Sequence, residues 1–215
     1  MKFRPSRYDR PTFGKICAEY NMTYYGTAIP QSDADYIPVR GLTASPDQTD
    51  DNYASGIIGD YPVQLLQRTH DVYLPDKPLT TQTWTICEIS LRSSNLPHMY
   101  LNGLADHDDY SAMLISFLRM YEIDLNSLSQ PILDKFREHF SLYIAPDDIP
   151  ALQHLFSLRV QNMLATYFTN IDIELTDNKL LVYSIEKPIE LSTIDKMLRV
   201  GLWLARQIDN PSVDS

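Results

Sequence analysis

Between Ile171 and Leu175 the apolar residues fall on every second position. Ile171, Ile173 and Leu175 alternate with Asp172 and Glu174, and Leu181, Tyr183 and Ile185 follow the pair Asp177-Asn178. A two-residue period places one set of side chains on one face of an extended strand, and Asp-Asn suits a tight reversal, so the segment predicts a hairpin with one apolar face. Gly59-Asp60 predicts a second hairpin, between residues 53–58 and 61–68. An isolated hairpin is marginal in water, so both require a common sheet and something to cover it.

Other runs supply strands for that sheet. Residues 83–91 place Thr85, Cys87, Ile89 and Leu91 on one face and Trp84, Ile86 and Glu88 on the other, the pattern of a strand covered on both sides. Shorter strands are expected at 23–25, at 98–101 before the turn signal Asn102-Gly103, and at 140–145. Helical spacing predicts a helix over 12–20, with Phe13, Ile16, Cys17 and Tyr20 aligned, Thr12 as N-cap and Asn21 as stop. It predicts another over 109–121, from Met113, Phe117, Met120 and Tyr121. Asp147 and Asp148 precede a short helix, Ser157 caps one over 158–168, and residues 191–208 form a long terminal helix. The expected fold is α+β: a largely antiparallel sheet of meander and hairpins, backed by several helices and ending in a long C-terminal helix. At 215 residues the chain reads as one domain over 1–215, with a finer division into lobes of about 1–105 and 106–215. Residues 31–52 are rich in Asp, Ser, Pro and Thr, with Asp33, Asp35, Asp47, Asp50 and Asp51 against the single cation Arg40, and read as a long acidic loop.

Charge and motifs narrow the function. The formal net charge is −10, from 18 Lys plus Arg and 28 Asp plus Glu, which repels phosphate backbones, so no nucleic-acid partner is expected. No stretch approaches the roughly 20 apolar residues of a membrane-spanning helix, and residues 1–10 lack the apolar core of a signal peptide, so the chain is expected in the cytoplasm. Cys17 and Cys87 have no metal-type or redox-type spacing and read as buried thiols. The seven glycines form no nucleotide fingerprint, and no cofactor is expected. Asp106, His107, Asp108 and Asp109 are the one dense set of oxygen and imidazole ligands, but adjacent ligands on a short loop seldom converge on one ion, and Asp108 or Asp109 suits a helix cap. His98 enters an apolar strand and reads as a hydrogen-bonded structural histidine, with a positioned base as the sharper alternative. His70, His139 and His154 earn no catalytic role, and no catalytic residue is assigned.

From Ala54 onward the chain resembles a family of bacterial proteins found in very small, host-dependent bacteria of the Saccharibacteria type. The resemblance is carried by Ile57-Ile58-Gly59-Asp60-Tyr61-Pro62, Leu96-Pro97-His98-Met99-Tyr100-Leu101, Phe140-Ser141-Leu142-Tyr143, Ile171-Asp172-Ile173-Glu174-Leu175 and Leu181-Val182-Tyr183-Ser184. Members often carry hydrophobic anchors ahead of this domain, so the resemblance implies a cytosolic module working beside a membrane, and it implies no activity. The chain reads without such an anchor, so a membrane role is expected to need a partner or a surface contact.

The terminal helix carries the most specific clue. Ile194, Leu198, Gly201, Ala205 and Ile208 form one stripe, while Trp203 falls on the face shared with Lys196, Arg199, Arg206 and Gln207. Fourteen tyrosines against seven phenylalanines also favour surfaces with an apolar body and a wet tip. The leading expectation is a non-enzymatic module that binds a protein partner or copies of itself through Trp203, Arg199, Arg206 and Lys196. The rival is a metal-assisted hydrolase or small-ligand domain at Asp106, His107, Asp108 and Asp109 with His98. A peripheral, membrane-surface module is the third and weaker reading.

Overall fold

The computed structural model describes residues 9–27, 38–44, 48–72, 80–103, 120–128 and 131–210. Its described strands form one antiparallel sheet. They are β1 (Thr23–Gly26), β2 (Thr49–Ile58), β3 (Tyr61–Val72), β4 (Thr80–Ser90), β5 (Leu96–Gly103), β6 (Tyr121–Glu122), β7 (Phe140–Ile144), β8 (Asp172–Asp177) and β9 (Lys179–Ser184). The helices are α1 (Arg10–Glu19), α2 (Asp134–His139), α3 (Leu158–Tyr167) and α4 (Leu191–Asp209), with 3-10 segments at Leu125–Ser127 and Pro146–His154. The expected α+β class, the antiparallel sheet and the long C-terminal helix are all present.

Both predicted hairpins form, but that of β8 and β9 is apolar on both faces: Ile173 and Leu175 pair with Val182 and Leu180 on one side, and Leu181 and Tyr183 lie on the other beside Glu174. Ile58 pairs with Tyr61 across Gly59, whose φ of +63° glycine adopts without penalty, and Thr176 pairs with Lys179 across Asp177 and Asn178. Ser157 caps α3, its hydroxyl accepting from the Val160 amide. α1 begins before the expected Thr12: Asp9 is its N-cap residue and Pro11 lies in the first turn, where a missing N–H costs nothing. The segment after Asp147 and Asp148 is 3-10 rather than α-helical, with Pro150 inside it. Most of the helix expected over 109–121 lies outside the described residues, and Tyr121 sits in strand β6. α2 had no counterpart in the sequence reading.

Three expectations change. The sheet order is β1-β2-β3-β4-β9-β8-β5-β7-β6, so the β8–β9 hairpin lies between β4 and β5 and the first half is not a continuous meander. Residues 91–95 cross the end of that hairpin. Three inter-strand gaps span about 14 Å, within reach of a short extended segment. The crossing is pinned where the Leu91 amide donates to the Asn178 carbonyl and the Arg92 and Ser93 amides donate to Asp209 at the end of α4. Asn102-Gly103 is not a turn, because the two residues pair with Ser141 and Phe140 inside β5. Residues 31–37 and 45–47 of the expected acidic loop lie outside the described residues, and its end is strand: Thr49–Asp51 pair with Arg68–Thr69 and Gln67 in the sheet, and Asp50 and Asp51 are buried.

Alternation assigns the two sheet faces. Val63, Leu65, Cys87, Ile89, Leu101, Ile173, Leu175 and Val182 join Phe13, Ile16, Val160, Leu164 and the buried side of α4 in the main core. Gly201 lets α4 approach closely, since a Cβ there would lie 2.6 Å from Ile89 Cδ1 and 3.3 Å from Val182 Cγ2. The buried arc of α4 is wider than the predicted stripe, adding Met197, Val200, Leu202 and Leu204. On the opposite face Tyr53, Leu66, Trp84, Ile86, Tyr100, Leu181 and Tyr183 form a second, more aromatic cluster with Val39 and Leu42.

Candidate functional site

The second face is studded with buried polar groups. Arg68 is fully buried and grips Asp50 through two bonds, Nε to Oδ1 and Nη2 to Oδ2, each 2.8 Å. The planar guanidinium matches a carboxylate in this two-pronged way, and burying the charges requires such pairing. Arg68 also donates to the Val39 carbonyl at 2.7 Å and to the Thr43 hydroxyl at 3.4 Å. Glu174, also fully buried, accepts from the Leu42 amide at 2.7 Å, from the Tyr183 hydroxyl, and from His98 Nε2 at 2.8 Å. Burial, then the adjacent Glu174 carboxylate, raises the Tyr183 phenol well above its ordinary range, so it stays a donor. Residues 38–44 therefore form a strap laid across this face and tied down by Arg68 and Glu174.

A second carboxylate lies toward the β2–β3 turn. Glu88 accepts from Lys179 at 2.8 Å and from Gln64 at 3.3 Å, and Gln64 in turn accepts from Tyr53. Burial raises the Glu88 pKa despite the opposing pull of Lys179 and Arg68. Further along, Asp172 accepts from the Tyr100 hydroxyl and the Gly103 amide.

His98 is thus a hydrogen-bonded histidine, its side chain one-third exposed and its ring held by Glu174. A carboxylate orienting an imidazole is half of a general-base arrangement. Among the described residues no hydroxyl or thiol is hydrogen-bonded to the ring's other nitrogen. His70 is buried edge-on against Trp84, with ring centroids 4.7 Å apart. Asp106, His107, Asp108 and Asp109 lie outside the described residues. Among the described residues no group of three or more His, Cys, Asp or Glu is arranged to hold a metal ion, and no helix is long and apolar enough to cross a membrane.

No protein-family model matches the chain, and no curated protein does. It is similar in fold to a solved structure. That structure is the mycobacterial trehalose monomycolate transport factor A, TtfA, with a TM-score of 0.60 and 11% identity over 95% of this chain and 94% of that one. At that identity the likeness is one of fold.

The predicted interaction residues line the outer side of α4. Arg199 has a side chain 67% exposed and pairs with Asp195 at 2.8 Å, and Asp195 also accepts from the Tyr20 hydroxyl. Arg206 is exposed, its guanidinium reaching the Gly59 turn. Lys196 lies 5.7 Å from the Phe168 ring centroid. Trp203 is half-buried and packs against the margin of the main core, so its ring is neither a core residue nor free of the core. The strap centre was missed in the sequence because alternation assigns Glu174 to solvent, Asp50 falls in the segment read as an acidic loop, and Arg68 ends its predicted strand. The signal lay in their neighbours: Leu66 beside Arg68, and Trp84 and Ile86 beside Glu88, are apolar residues that require the same face to be covered.

Proposed function

We propose that the chain is a non-enzymatic protein-interaction module whose contact surface is the outer stripe of α4. The observation that supports this reading is the alignment of Arg199, Trp203 and Arg206. Steps of four and three residues put them on one helical stripe, with exposed arginines one turn on either side of a half-buried indole. Lys196 extends the stripe by one further turn. An aromatic anchored at one edge by core packing loses little freedom on contact, and flanking guanidinium groups offer stacking and charge to an acidic partner surface. Such a cationic strip in a chain of net charge −10 also suits an acidic surface of a second copy.

The test compares wild type with Trp203→Ala and Arg206→Glu by sedimentation, by capture of bound proteins and by urea unfolding. Arg206→Glu should leave stability within about 0.5 kcal/mol, as exposed substitutions do, and weaken association at least tenfold. Trp203→Ala should abolish association and cost less than the roughly 3–5 kcal/mol of a fully buried ring. Association that survives both substitutions removes the α4 surface from consideration.

A further inference from the structure

The strap is held to the sheet as a peptide ligand is held to a receptor. Among the described residues no backbone–backbone hydrogen bond joins residues 38–44 to a strand, and the one recorded in this segment closes its own turn, from the Ala44 amide to the Gly41 carbonyl. Instead, side chains of the sheet read its main chain: Arg68 takes the Val39 carbonyl and Glu174 takes the Leu42 amide. Both readers are set in advance, Arg68 by its two bonds to Asp50 and Glu174 by the Tyr183 hydroxyl. Val39 and Leu42 insert their side chains among Tyr53, Leu66, Trp84, Tyr100 and Tyr183, while Arg40 between them faces solvent. Gly41 lies where no side chain fits, since a Cβ would meet the Tyr183 hydroxyl oxygen at 2.5 Å and Glu174 Oε2 at 2.9 Å.

We infer that this face of the sheet is a peptide groove that the strap fills in cis, and that its partner in trans is an extended segment of pattern apolar-x-Gly-apolar. The strap itself shows that chemistry seated, with the buried Thr43 hydroxyl adding one further bond to Arg68. Two apolar side chains three residues apart fill the aromatic pockets, a glycine passes over Tyr183, and the intervening side chain is unconstrained. Because the strap is tethered, it competes at an effective concentration of the order of millimolar, which makes it an autoinhibitor of its own groove. The groove lies on the face opposite α4, so this proposal stands or falls separately from the α4 surface.

A blocked peptide of residues 38–44 is the probe, titrated into the full chain and followed by anisotropy of a label on the peptide. Gly41→Ala unseats the strap and should bind the peptide at least tenfold more tightly than wild type, and Arg68→Lys added to Gly41→Ala should abolish that gain. A folded Gly41→Ala protein with no gain over wild type overturns the proposal. If Gly41→Ala does not fold, hydrogen exchange on wild type decides. The Leu42 amide should exchange at least a hundredfold faster than the Leu181 and Tyr183 amides beneath it, as a seated ligand that leaves without global unfolding must. Equal rates would make the strap an integral part of the core and sink the inference.

Discussion

The two faces of the sheet obey one alternation rule and are covered by opposite means. Toward α4 the strands present Leu65, Cys87, Ile89, Ile173 and Val182, and the cover is a helix that satisfies its own backbone and needs only apolar contact. Toward the strap they present Gln64, Arg68, Glu88 and Glu174 among aromatic rings, and the cover is irregular chain whose peptide groups have no ladder to join. A buried peptide group left unpaired is costly, so the sheet itself must supply the partners. Regular secondary structure frees the surface beneath it to be apolar, whereas a strap obliges the surface beneath it to be polar.

That contrast can be broken at its strongest point first. Arg68→Ala would remove the cation that pairs with buried Asp50 and the donor to the Val39 carbonyl, and should cost about 3–5 kcal/mol in urea unfolding. A loss below about 1 kcal/mol would mean that the strap lifts away without harm. On the helix face Ile173→Ala should cost about 2–5 kcal/mol, the range for emptying an apolar site. Glu174→Ala, in the next position of the same strand, should cost about 1–3 kcal/mol by orphaning the Tyr183 hydroxyl and the Leu42 amide. Alternation alone assigns Glu174 to solvent and predicts a neutral change there, so this variant separates the sequence reading from the structure directly.

A smaller effect should appear with pH. Burial lifts Glu88 above the ordinary glutamate range, so between that range and its raised pKa the folded chain holds a proton that the unfolded chain has released. Its contribution to stability is therefore complete below the ordinary range and is lost as pH rises through the raised value. Glu88→Gln should flatten that decline in a plot of unfolding free energy against pH, and an unchanged slope would place the titration elsewhere. The least effect is expected at the thiols. Burial pushes Cys17 up to about 11 and Cys87 further still, so neither should react with a thiol reagent at pH 8 until the chain unfolds. Fast labelling of Cys87 in the native state would show that the helix-covered face opens more readily than the strap-covered one.

Local signals were legible from residue order. Gly59-Asp60 and Asp177-Asn178 announced their hairpins, Ser157 its helix, and the apolar spacing from Ile194 to Ile208 the helix that closes the main core, because each depends on residues a few positions apart. The exposure of Arg199 and Arg206 was legible for the same reason, whereas the packing of Trp203 against the margin of the core was not. The insertion of β8 and β9 beside β4 was not, since the pairing of Glu88 with Leu181 joins segments from opposite halves of the chain. Nor was the buried state of Asp50 and Glu174. Alternation determines which side chains share a face, but what lies over a face is decided by segments distant in sequence. Glu174 is buried because the amide that needs it belongs to Leu42, 132 residues away, and no local pattern records a partner that only the folded chain brings within 2.7 Å.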